Sequence, residues 1–97
     1  MRIISRKTLR EFWEIHADSE QALKTWFQEV ENANWENLNE LKKDYPNASI
    51  LLDNRIVFNI KGNKYRLIVK FNLHYQMAWI RFVGTHADYD KIDATKI

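Results

Sequence analysis

Ninety-seven residues, 45% of them hydrophobic and 13% aromatic, suffice for one domain, residues 1–97, and are too few for two. The chain has no cysteine, which excludes a disulfide scaffold, a thiolate metal site and a cysteine nucleophile. Net charge is +2, yet residues 1–53 carry seven Lys/Arg against ten Asp/Glu, whereas residues 54–97 carry eight against three; this asymmetry points to an anionic partner for the C-terminal half.

The opening MRIISRKTLREFW is charged at its second and sixth residues. It lacks the apolar centre of a secretion signal, and nothing in the chain approaches the roughly 18 apolar residues of a membrane span. A soluble, cytoplasmic protein without a membrane partner is expected. Met1–Ile4 is short and apolar and predicts a strand. Leu9, Phe12, Trp13 and His16 then fall at i, i+3, i+4 and i+7, one face of a helix with Ser5 placed to cap it. Asp18 and Gln21 have the spacing of a capping box before a second one-sided stripe, Leu23, Trp26, Phe27 and Val30. Asn34 is placed to cap a third helix carrying Leu38, Leu41 and Tyr45, which Pro46 stops.

From there the periodicity changes to two. Ile50–Leu52 and Arg55–Ile60 flank a turn at Asp53-Asn54, and Gly62-Asn63 supplies positive φ angles for the next turn. Tyr65–Asn72 alternates, with Tyr65, Leu67, Val69 and Phe71 on one face and Arg66, Ile68 and Lys70 on the other. Ala78–Thr85 alternates likewise, Ala78, Ile80 and Phe82 against Trp79, Arg81 and Val83, with Leu73–Gln76 as the turn between the two strands. The pattern predicts an α+β domain: an antiparallel sheet with the N-terminal helices packed on one face. The uncovered face would then display Arg66, Ile68 and Lys70 beside Trp79, Arg81 and Val83. Cations interleaved with an aromatic residue suit a phosphate backbone and a stacked base. Lys and Arg also populate ordinary solvated sheet faces, so the pattern alone leaves both readings open.

The last strand runs into Thr85-His86-Ala87-Asp88, which has the form of a capping box and opens a helical turn. That accounts for Thr85 and Asp88. It does not account for His86, for Tyr89 one turn later, or for arginines on central strands. His16 sits at a helix end and His74 at a hairpin tip. The three histidines lack metal-ligand spacing, and Asp88, Asp90 and Asp93 lack the pattern of a calcium loop; no metal and no cofactor are expected.

The segments NIKGNKYRLIVKFN and AWIRFVGTHADYDKID, with MRIISRKTLREFW and YPNASILLDNRIVFNI, resemble the HigB toxins of type II toxin–antitoxin modules, within the RelE-like group of mRNA interferases. The likeness covers nearly the whole chain. It implies a RelE-like toxin fold and an endoribonuclease that cleaves mRNA, typically on the ribosome, and so inhibits translation. It also implies neutralisation by a cognate helix-turn-helix (HigA-like) antitoxin; a monomer alone and a heteromer with that partner is the expected state. Carried over position by position, the catalytic residues are Arg66, Arg81, His86 and Tyr89, with Lys64, Lys70 and Lys91 as further candidates for RNA binding; the alternation of the sheet face adds Trp79 to these RNA-binding positions. Metal-independent RNA cleavage needs a base for the 2′-OH, a cation for the phosphate charge and an acid for the leaving oxygen. Histidine is the residue type suited by its ordinary range to such proton transfer, which singles out His86. The guanidinium fork of Arg66 or Arg81 suits a phosphate better than an ammonium does. Two other functions fit the same residues: a basic sheet that holds RNA or the ribosome without cutting, and an inactive relative that only binds its antitoxin.

Overall fold

The computed structural model describes residues Met1–Ile97. Strand β1 (Arg2–Ile4) leads into helix α1 (Arg6–Ile15), a 3₁₀ turn at Ala17–Ser19, α2 (Glu20–Glu31) and α3 (Leu38–Asp44). The second half is β2 (Ser49–Ile50), β3 (Arg55–Ile60), β4 (Tyr65–Asn72), β5 (Met77–Thr85) and the short α4 (His86–Asp90). The five strands lie in the order β1-β5-β4-β3-β2. All neighbours are antiparallel except β1, which runs parallel to β5 with Arg2 opposite Met77. The expected α+β architecture is present, and the sheet is mixed rather than purely antiparallel. A parallel neighbour needs a long return connection, which the three helices and the β2–β4 hairpins supply.

The helical stripes and one sheet face make a single core. Leu9, Trp13, Leu23, Trp26, Val30 and Leu41 pack on Ile56, Phe58, Leu67, Val69, Phe71 and Ile80. Phe58 is the hub of an edge-to-face cluster, its ring centre 5.4 Å from Trp26, 5.1 Å from Tyr45 and 6.1 Å from Phe71. Each such contact adds about 0.5–1.5 kcal/mol beyond area burial.

Three of the expected caps do not form, two of them because distant partners take their place. Ser5 is left-handed at φ 78° and makes no side-chain cap. Asp18 caps nothing: its carboxylate accepts from the Tyr65 hydroxyl at 2.5 Å and from Lys64 across the fold. Asn37 rather than Asn34 caps α3, accepting from the Glu40 N–H at 3.1 Å. The helix starts late because Trp35 is buried and its indole N–H donates to Asp44 at 2.8 Å, which holds the preceding loop against the core.

The turns fall close to where expected. The β3–β4 hairpin takes its positive φ angles at Lys61 and Gly62, one residue earlier than predicted, and the Asp53-Asn54 turn is left-handed at both residues.

The larger departure is in β5. Ile68 pairs with Phe82 but the next residue, Val69, pairs with Ile80, so Arg81 is an extra residue bulged out of the ladder. A bulge inverts the alternation beyond it. Phe82 therefore shares the outer face with Ile68, and Val83 turns inward to pack on the core, the reverse of the predicted facing. Gly84 is needed here: a Cβ on it would lie 2.6 Å from the Phe82 ring.

Directly opposed residues share a face, so the outer face carries three rows: Arg55·Lys70·Trp79, Val57·Ile68·Phe82 and Asn59·Arg66·Gly84. This face is not the open surface expected. Val57 and Ile68 are 4% and 0% exposed. Helix α4 and the segment after it turn back over this side, where the Ile97 carbonyl accepts from Arg55 Nε at 2.8 Å.

Candidate active site

The turn that begins α4 is fixed twice. The Thr85 hydroxyl accepts from the Asp88 N–H at 3.1 Å, and the Asp88 carboxylate accepts from the Thr85 N–H at 3.4 Å, a closed capping box. In addition, the His86 N–H donates to the Lys64 carbonyl at 3.3 Å, which ties α4 to the β3–β4 hairpin. Both contacts leave the His86 and Tyr89 side chains unengaged by the capping, so they are available for other work.

Arg66 reaches α4 from β4. One guanidinium nitrogen donates to the Asn63 and Tyr65 carbonyls at 2.9 and 3.3 Å, and the guanidinium carbon lies 6.0 Å from the Tyr89 ring centre. This cation–π contact makes Arg66 and Tyr89 one unit. His86 Nδ1 lies 3.1 Å from Asp90 Oδ2 and its side chain is 54% exposed. A carboxylate on one ring nitrogen fixes the tautomer and leaves Nε2 for the substrate. The His86 ring borders a depression of about 580 Å³ together with Ile15, His16, Asp18, Lys64 and Tyr65.

Asp18 organises the far wall of that depression. It accepts from Lys64 and Tyr65 and is 3.7 Å from Lys61. Hydrogen bonds from Lys64 and Tyr65 hold its carboxyl down to about 2. The same contact raises the Lys64 ammonium and the Tyr65 phenol above their ordinary values. Lys64 and Tyr65 thus keep their protons, and Lys64 meets any anion as a partly neutralised cation.

Arg81, Lys70 and Trp79 lie elsewhere. Lys70 and Trp79 sit in the row four residues along β4 from Arg66, about 13 Å at the usual strand rise; Arg81 stands out of the ladder between the Val69·Ile80 and Ile68·Phe82 pairs, and all three line a separate depression of about 350 Å³. Lys70 is paired with Asp53 at 3.2 Å, which also takes Arg55 at 3.1 Å; hydrogen bonds from Lys70 and Arg55 lower the Asp53 carboxyl. Lys91 is exposed at the C-terminal end of α4. The four positions expected to form one site therefore divide: Arg66 and Tyr89 meet, His86 shares the helix of Tyr89 but lines the depression on the Lys64 side, and Arg81 lines a different one. Of the expected cations, Lys64 and Lys70 have carboxylate partners, while no ion pair engages Arg66, Arg81 or Lys91.

Three carboxylates were absent from the expected site. Asp90 was detectable, being four residues after His86 on a helix. Asp18 and Asp53 gave no local signal, because their partners lie across the fold or across a turn. No group of three or more His, Asp or Glu side chains converges as metal ligands do, and no helix is long and apolar enough to cross a membrane.

Comparison with known proteins bears on this arrangement. No curated protein matches the chain. A family profile for HigB toxins, described as the RelE-like toxic component of a toxin-antitoxin system, matches residues 19–92. The match runs from the turn before α2 through β5 and α4, and so includes the Arg66–Tyr89 pair, His86 and the Arg81 bulge. With most of its length so matched, the chain belongs to the HigB toxin family and is the RelE-like toxic component of a toxin–antitoxin system.

Proposed function

We propose that this toxin is a cytoplasmic endoribonuclease that cuts mRNA held on the ribosome, using the ribose 2′-OH as nucleophile on the adjacent phosphorus. The observation that carries the reading is the contact of Arg66 with Tyr89 on the helix that also bears His86: a cation with no carboxylate partner, its guanidinium carbon 6.0 Å from the ring centre, and one helical turn from that ring an exposed imidazole 3.1 Å from Asp90. Arg66 supplies charge to the phosphate oxygens as they become more negative. His86 Nε2 exchanges the proton of the 2′-OH or of the leaving 5′-oxygen. Tyr89 holds the guanidinium and offers a face to a base. Arg81 and Lys91 contact the strand on either side of the scissile phosphate. A toxin of this family has an antitoxin, and for this chain we take it to be a helix-turn-helix protein encoded alongside.

Induction of the wild-type chain, Arg66→Ala and His86→Ala in bacteria, followed by primer extension on cellular mRNA, tests this. New 5′ ends with the wild type, and few or none with either variant, are expected. Growth arrest by the wild type without new 5′ ends would replace cutting by RNA or ribosome binding.

A further inference from the structure

The depression at the far end of β4 and β5 has no part in the chemistry assigned to His86 and Arg66. We infer that it is a nucleotide-recognition subsite that takes one unpaired RNA nucleotide, the base stacked on Trp79 and an acceptor-bearing base edge turned to Arg81 and Asn72. The inference rests on the RNA reading above and adds where, and by what, a base is read.

Three observations meet at this place. Trp13, Trp26 and Trp35 are at most 8% exposed in the core, whereas Trp79 lies on the outer face and is partly exposed. Its ring borders the depression together with Asn54, Lys70, Asn72 and Arg81. A large aromatic face left partly in water beside cations is the arrangement that stacks bases. The second observation is the bulge. It ejects Arg81 from the ladder, so this exposed arginine, free of ion pairs, is aimed by backbone geometry and not by strand alternation.

The third is polarity. Asn72 Oδ1 accepts from the Tyr75 N–H at 3.1 Å, which turns the oxygen to the hairpin and leaves the N–H₂ group to donate. Lys70 and Arg81 are donors as well. A pocket rich in donors favours carbonyl-bearing edges, such as uracil or the O6/N7 edge of guanine, over the amino edges of adenine and cytosine. Lys70 is already held by Asp53 at 3.2 Å, which leaves Arg81 to meet the phosphate or a base carbonyl. The subsite stands about 13 Å along the sheet from Arg66.

Because Trp79 is the one tryptophan outside the core, its fluorescence reports the subsite directly. The purified chain is titrated with end-labelled octamers of U, A or C, following anisotropy for binding and tryptophan emission for stacking. Oligo(U) is expected to bind several-fold more tightly than oligo(A) or oligo(C) and to quench emission. Trp79→Phe should abolish the quench and keep most of the affinity, and Trp79→Ala should lose at least about fivefold. Asn72→Ala should narrow the preference for U, whereas Arg66→Ala should weaken all three octamers alike. Binding without a Trp79-dependent quench overturns the subsite and leaves the RNA reading intact. Equal affinities for the three octamers overturn the base preference. No binding of any octamer overturns the subsite and leaves the ribosome-held cutting to the primer-extension test above.

Discussion

The Arg66 guanidinium lies 6.0 Å from the centre of the Tyr89 ring, joining the middle of the sheet to the one helix that follows it. Removing the cation should cost more than removing the hydroxyl. Arg66→Ala is expected to slow the proposed mRNA cleavage by about 10²–10³-fold, and Arg66→Lys to recover little of it, because an ammonium lacks the fork and the stacking plane. Tyr89→Phe keeps the ring and should retain most activity, while Tyr89→Ala loses tenfold or more. Initial cleavage rates on a defined mRNA with purified ribosomes measure all four.

His86 and Asp90 act as a pair in the proposed reaction, 3.1 Å apart on one helical turn. His86→Ala should lower the cleavage rate by about 10²–10⁴-fold, the usual range for losing a general acid or base. Asp90→Asn keeps the side chain's size and should lose about tenfold, since only the orientation of the imidazole is disturbed. A single-turnover assay with excess toxin separates these effects from weakened binding. Equal activity of His86→Ala and the wild type would remove the imidazole from the mechanism.

Asp18 links folding to acid. Its carboxyl is held down to about 2 by Lys64 and Tyr65, against an ordinary 3.8. On acidification the unfolded chain takes up this proton first, so the contribution of Asp18 is complete above its ordinary value and falls as pH drops from there toward about 2. Wild type should therefore lose stability more steeply than Asp18→Asn across that window, the two curves running parallel at higher pH. Urea midpoints measured at intervals between neutral pH and about 2 show whether they do.

The Arg81 bulge separates fold from function. Deleting Arg81 leaves Trp79 outward, Ile80 inward, Phe82 outward and Val83 inward, the alternation of an uninterrupted strand. The deletion variant should fold with stability within about 1 kcal/mol of Arg81→Ala and lose activity to the same degree. Thermal denaturation and the growth-arrest assay compare them. A deletion that unfolds the chain would show that the bulge shapes the core, not merely the outer face.

Much of the framework was legible in the amino-acid order. The helical stripes through Leu9, Trp13, Leu23 and Trp26, the alternation of Tyr65–Asn72 and the capping box at Thr85 all depend on neighbours within a few residues, and each is present in the structure. What the order could not express was any choice between a local partner and a distant one. Asp18 left its cap for Lys64 and Tyr65, and the start of α3 shifted to Asn37 because Trp35 had a place in the core. In β5 a single extra residue reversed which side Phe82 and Val83 face and took Arg81 out of the ladder. A side chain's periodicity fixes its face only while the ladder is regular. Where register slips, or where a carboxylate finds a stronger partner across the fold, only the packed chain settles which groups meet.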